Sequence, residues 1–217
     1  MKHSMKATLP HMILLSLLAV TMPLAGASDK KNVAQMAGVT TNSINEFRLD
    51  ISQMRARIQN TLNQLQSLQK EGTDLRAEFE KYRIEVARME ELSKQTAERA
   101  DEMMKKKAAF FDAWEYQVNA IQDEEIRTLA RKRQARREKS YLKMVASMAE
   151  TKQAFVPFLA TLQDIKKLLG SELTRDSVKS AKKIIREVKL EGADLENELY
   201  DLLVEVGHLY DEFRQYR

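Results

Sequence analysis

The chain of 217 residues has no cysteine. That absence excludes disulfide staples, a thiolate nucleophile and thiolate metal ligands. It also excludes a lipoprotein anchor, which needs an N-terminal cysteine to carry the lipid. Glycine (6) and proline (3) are scarce. No Gly-rich phosphate loop, dinucleotide fingerprint or G-x-S-x-G turn can be found, and no flexible linker separates two domains. Histidine occurs only at His3, His11 and His208. Aromatic residues make up 6% of the chain, and no run alternates apolar and polar residues as a half-buried strand would.

What is present is charge and helix-forming residues. Asp, Glu, Lys and Arg together reach 31%, alongside abundant Ala, Leu and Gln, the composition of long helices. One domain is the expectation at this length. The formal charge is +4.

The first 27 residues differ from the rest. Lys2, His3 and Lys6 form a basic head, and MILLSLLAV (Met12 to Val20) is an apolar run. It falls short of the about 20 residues that a membrane span requires. Pro23 follows, and Ala25 and Ala27 match the small-x-small pattern of a signal peptidase site. Residues 1–27 are therefore read as a secretory signal cleaved after Ala27, and the mature protein as exported, periplasmic and soluble. Loss of the two leader lysines leaves 34 cationic and 32 anionic side chains, a net charge of +2. Near-neutrality of that kind says little about partners.

Apolar residues spaced three and four apart mark helices. The first stripe is Ile44, Phe47, Ile51, Met54, Ile58, Thr61, Leu65 and Leu68, with a Ser43/Glu46 capping box before it and Gly72 after it. Thr73 is the expected cap of the second: Leu75, Phe79, Tyr82, Val86, Met89, Ser93, Thr96, Ala100, Met103, Lys107, Phe110 and Trp114. The third becomes regular only late: Tyr141, Val145, Met148, Lys152, Phe155, Leu159, Leu162, Lys166 and Leu169. Pro157 lies inside it and predicts a kink. The fourth starts after Thr174 and has no polar member: Val178, Ala181, Ile185, Val188, Gly192, Leu195, Leu199, Leu202, Val206, Leu209, Phe213 and Tyr216.

A seven-residue apolar repeat with short connections predicts an all-α, elongated antiparallel three- or four-helix bundle with coiled-coil-like packing. The expected helices cover residues 43–70, 74–118, 122–169 and 175–216. Residues 28–40 are expected to be a flexible segment ahead of a bundle spanning 41–217. Three helices of such length make a rod roughly 70 Å long.

RKRQARREK (Arg131 to Lys139) is the densest charge run, with six cations and one acid in nine residues. If the third and fourth helices fold back at Ser171, Arg133 falls beside Leu209 and Arg137 beside Glu205. The acids Asp201, Glu205, Asp211 and Glu212 then pair with the run, which becomes a solvated face. Folding of the second helix onto the third near Ala120 brings Lys105, Lys106 and Lys107 toward Arg133 and Arg136. The candidate interaction patch is therefore Lys105, Lys106, Lys107, Arg131, Lys132, Arg133, Arg136 and Arg137.

Catalytic and metal readings find little footing. Glu205 and His208 form Glu-x-x-His, but a di-iron bundle needs that motif twice, and a mature chain keeps one histidine. Glu90–Glu91 and Asp123–Glu124–Glu125 read as solvated acids, the second group at a helix start. Aromatics gather at one end of the bundle: Phe110, Phe111, Trp114 and Tyr116 with Tyr210, Phe213 and Tyr216. No enzyme activity, cofactor or metal is expected.

FFDAWE (Phe110 to Glu115), RQARREKSYLKMVASMAETKQAFVPFLATLQDIKKLL (Arg133 to Leu169) and ELTRDSV (Glu172 to Val178) resemble a bacterial family, the domain of unknown function numbered twenty-nine fifty-nine. The resemblance spans Phe110 to about Tyr210. It implies an exported, all-helical protein of Gram-negative envelopes. No activity or catalytic residue is assigned to the family, so none carries over. Many relatives carry a lipoprotein cysteine that this chain lacks.

The leading expectation is a non-enzymatic envelope protein that acts structurally or by contacting another envelope protein or itself. The alternative is a peripheral binder of anionic membrane through the basic patch. A cytoplasmic nucleic-acid binder comes third, because it requires the leader to be something else.

Overall fold

In a computed structural model the described residues, 33–214, form one all-α bundle. Its helices are α1 (Val33–Leu68), α2 (Leu75–Asn119), α3 (Glu124–Ser171), α4 (Arg175–Ser180) and α5 (Lys182–Arg214). The leader, its cleavage site and Tyr216 lie outside the described residues. Among the described residues no helix is long and apolar enough to cross a membrane.

The long helices run antiparallel and close a ring: α1 lies against α2 and α5, and α3 against α5 and α2. Register follows from cross-helix contacts. Arg57 meets Glu85 and Asp50 meets Arg99 across α1 and α2, whereas Gln59 meets Glu196 and Gln66 meets Lys189 across α1 and α5.

Three of the stripes are the core. All eight expected positions of α1 are buried, as is every expected position from Val178 to Phe213. On α2 the two polar hydroxyls of the stripe are satisfied by their own helix: Ser93 donates to the Glu90 carbonyl and Thr96 to that of Leu92. Gly192 sits at a close approach of side chains. A Cβ there would lie 2.6 Å from Leu62 Cδ1 and 3.1 Å from Phe158, so a larger residue would require those side chains to shift.

The third stripe keeps the expected Tyr141, Leu162 and Leu169 in the core but is phased differently between them. Tyr141, Met144, Thr151, Phe158, Leu162, Ile165 and Leu169 are buried, whereas Lys152 is exposed and Val145, Met148, Phe155 and Leu159 only half so. Apolar residues flank both phases through this stretch, and contact with α2 and α5 selects the inner one. The helix continues through Pro157, whose ring faces outward. An exposed proline at that position removes one hydrogen bond from the wet side of the helix.

The first helix begins ten residues before the expected 43. Ser43, expected as part of a capping box, is buried inside α1, and residues 33–40 are helical rather than a flexible segment. Buried Thr40 and Thr41 explain how polar residues extend the seam. Their hydroxyls donate to the carbonyls of Met36 and Ala37, 2.9 and 2.7 Å away, so no polar group is stranded. The cap of α2 is Asp74 rather than Thr73: its carboxylate accepts from the Arg76 and Ala77 amides.

Candidate interaction surface at one end of the bundle

The two ends of the bundle are built differently. At one end Gly72, with φ +76°, lets the chain turn from α1 into α2. Thr174 caps α4 by accepting from the Ser177 amide. Arg175 locks these turns together. Its guanidinium donates to the Leu68 carbonyl (3.2 Å), the Lys70 carbonyl (2.7 Å), and the carbonyl and hydroxyl of Thr73.

That clamp sets the register of α5 against α3. α4 is tied to the α1–α2 turn, so the chain spends it before it runs beside α3. Arg137 consequently meets Glu212 rather than Glu205, seven positions further along α5. The expected juxtaposition of Arg133 with Leu209 does not occur. The α5 acids serve lower residues: Glu205 pairs with Lys143 (3.0 Å) and accepts from Ser147 (2.6 Å), and Glu212 accepts from Ser140 (3.0 Å).

At the opposite end the α2–α3 turn is held by Asp123, which caps the Ile126 amide at 2.9 Å, and by Arg127, which donates to the Ile121 carbonyl. Below it sits an aromatic cluster. Phe213 of α5 packs on Phe110 (5.0 Å between ring centres) and Phe111 (6.3 Å), and Trp114 packs on both phenylalanines. Two cations of the candidate patch belong to this cluster. Arg137 lies over the Trp114 ring at 5.3 Å and donates to the Glu212 carbonyl. Lys107 lies 4.5 Å from the centre of Phe111 and 4.3 Å from that of Tyr141. Burial pushes the Lys107 ammonium below its ordinary pKa, against the pull of Glu138 and Asp112. Burial also pushes the Tyr141 phenol up to about 12. These cations act as amphipathic seals, with stems on aromatic faces and charge at the rim.

The other patch residues part company with them. Arg131 reaches Asn119 across the turn at 3.2 Å, and Lys106 pairs with Glu102 on its own helix. Lys105, Lys132, Arg133 and Arg136 are exposed, and among the described residues their side chains form no hydrogen bond or ion pair. The expected approach of Lys105–Lys107 to Arg133 and Arg136 is not found, since Lys107 registers with Tyr141 instead. The expected pairing of Arg131–Arg136 with the acids of α5 is likewise absent among the described residues.

Apolar side chains share this end, and charge alone did not point to them. Ile126 is 58% exposed, Leu129 52% and Tyr116 69%. Tyr116 therefore stands outside the aromatic cluster, and Tyr210 lies under Arg48 at 5.1 Å.

The remaining candidates are occupied otherwise. Ser140, Lys143, Glu205, His208, Asp211 and Glu212 line an open cleft of about 420 Å³ between α3 and α5. Glu205 is already engaged by Lys143 and Ser147, and among the described residues no three His, Asp or Glu side chains converge as a cation site. Glu90, read from the sequence as solvated, is half-buried and accepts from Gln163 and Lys166 of α3.

By fold the described residues form an all-α antiparallel bundle of long amphipathic helices, with the α1–α2 turn tied to α4 at one end and the basic α2–α3 hairpin at the other. The chain belongs to the family described as protein of unknown function (DUF2959), whose profile matches residues 37–207. That match reaches from within the first turns of α1 almost to the end of α5, well beyond the segments that carry the resemblance in the sequence. Neither the curated proteins nor the solved structures contain a match to the chain.

Proposed function

We propose that this protein is an exported, non-enzymatic interaction protein of the bacterial envelope, with its working surface at the α2–α3 end of the bundle. The observation that carries the proposal is the division of the basic run. Arg137 and Lys107 are spent on packing, while Arg133 and Arg136 are held out in water by a rigid helix. Charge kept unpaired on a stiff scaffold supports recognition better than it supports stability. The leader-like residues 1–27 support export.

Two measurements test the proposal. Osmotic-shock fractionation followed by N-terminal sequencing is expected to find the chain in the periplasm, starting at Ser28; a cytoplasmic chain retaining Met1 overturns export. A photo-crosslinking residue placed at Thr128 in intact cells is expected to give a mass-shifted adduct, while the same residue at Lys182 gives none. Equal labelling at both positions, or none at Thr128, overturns the assignment of the working end.

A further inference from the structure

We propose that the flank of α3 formed by Ile126, Leu129, Arg133 and Arg136 docks on an anionic lipid surface; this rests on the envelope assignment above and names its partner. The residues are spaced three, four and three apart, so they form one stripe on the helix. The stripe continues downward through Ser140 and Ser147, which hydrogen-bond Glu212 and Glu205 of α5. The flank is thus the one that α5 covers lower in the bundle. Contacts at Glu212 place Arg214, the last described residue of α5, beside about Arg136 in the antiparallel register. Toward the tip Ile126, Leu129, Arg133 and Arg136 are all exposed.

The order of side chains along the stripe selects the partner. Ile126 and Leu129, both more than half exposed, stand nearest the hairpin tip on this stripe, and Arg133 and Arg136 follow about one turn further down the helix. Two apolar side chains leading and two guanidiniums behind match the depth profile of a bilayer interface. The aliphatic groups reach the boundary of the acyl chains while the arginines meet the lipid phosphates, which they can bind in bidentate fashion. An acidic protein or a nucleic-acid backbone would engage the arginines and leave Ile126 and Leu129 unused. From Asp123 to Lys139 the hairpin holds seven cations and four acids (Asp123, Glu124, Glu125 and Glu138), with Arg127 paired to Glu124, so the field beyond the contacting pair stays net positive. Arg131 and Lys132, on other sides of the helix, add to the field without belonging to the stripe.

The test is vesicle flotation of the mature chain with phosphatidylglycerol/phosphatidylcholine mixtures and with phosphatidylcholine alone. Binding is expected only with the anionic lipid, and it should weaken as salt is raised. Arg133→Ala/Arg136→Ala should lower partitioning about 25-fold, about fivefold for each charge removed. Ile126→Ser/Leu129→Ser should lower it about tenfold, through lost apolar burial at constant charge. Lys152→Ala/Lys182→Ala removes two exposed cations elsewhere and should change nothing. Helical dichroism of each variant confirms that the bundle is intact. Partitioning that ignores lipid charge, an equal loss in the Lys152/Lys182 control, or no loss on removing Ile126 and Leu129 overturns the proposal. So does binding to nucleic acid or to an acidic protein without vesicle binding. If flotation fails while the mature chain is periplasmic and Thr128 forms a protein adduct, the envelope interaction stands and only its lipid partner is lost.

Discussion

Arg175 and Arg136 stand at opposite ends of the same bundle and meet opposite fates. Arg175 is half-buried where two chain reversals present carbonyl oxygens, and it fills all its reach with acceptors. Arg136 lies exposed on a regular helix whose carbonyls are already paired. The adjacent Arg137, 100° around the helix, finds the Trp114 ring and the Glu212 carbonyl. Residue type does not decide whether an arginine holds a fold together or faces outward. What decides is the supply of unpaired backbone oxygens and aromatic faces, which is rich at chain reversals and helix ends and poor along a helix flank.

The sharpest way to break this comparison is to cut two apolar side chains at the hairpin end, one packed and one exposed. Phe213 is fully buried under the hairpin, against Phe110 and Phe111. Phe213→Ala is expected to cost about 3–5 kcal/mol in urea unfolding. Leu129→Ser, only a few turns above, is expected to stay within about 0.5 kcal/mol of the parent. Similar losses from both would mean that the overhang is part of the core, and the division of the bundle into a packed body and a free end would fail.

At the closed end the expected effect is smaller. Arg175→Ala removes charge-assisted hydrogen bonds from a partly solvated site, and about 1–2 kcal/mol of destabilisation is expected. The loss should be local. Amide hydrogen exchange should quicken across Gln69 to Asp74, at the α1–α2 turn, and hardly change at the α2–α3 turn. Uniform acceleration at both turns would show that Arg175 is no clamp.

Much of this architecture is legible in the sequence, and where it is not, the cause is identifiable. The last seam, from Val178 to Phe213, was readable because no polar residue interrupts it. The beginning of α1 was hidden because Thr40, Thr41, Ser43 and Asp50 are polar and yet buried. Hydroxyl bonds of Thr40 and Thr41 to the preceding turn, and the Arg99 pair at Asp50, make that burial tolerable, and no spacing rule reveals them. Ser43 and Glu46 imitate a helix start three turns into a helix. In α3, Val145 and Met148 offered a second apolar phase that competed with Met144 and Thr151. The density of the basic run was plain from Arg131 onward. Which of its members pack and which face water depends on the register of α5, and that register depends on the extended linker Glu172–Thr174 and on Arg175, more than thirty residues away in sequence. Ile126 and Leu129 were missed because two apolar residues at a helix start resemble the beginning of a core seam.

The smallest expected effect concerns Asp50, midway between the ends. Its side chain is buried and one oxygen accepts from Arg99 at 3.0 Å, while among the described residues Oδ2 has no hydrogen-bond partner. Burial raises its pKa above the ordinary 3.8; Arg99 opposes the shift and Glu46 adds to it. Because the folded value exceeds the unfolded one, the folded protein binds the extra proton first. Stability attributable to Asp50 therefore grows as pH falls through the raised folded pKa toward 3.8, and it declines as pH rises through the same window. Asp50→Asn cannot take up that proton. The difference in urea midpoint between parent and variant should consequently move in the parent's favour from pH 7 to pH 4, by less than the Arg175→Ala effect. A difference that moves the other way would mean that the Arg99 pair outweighs desolvation. Asp50 would then be a stabilising ion pair of the same kind as Arg57–Glu85 rather than a polar group the bundle tolerates while it extends α1 toward the open end.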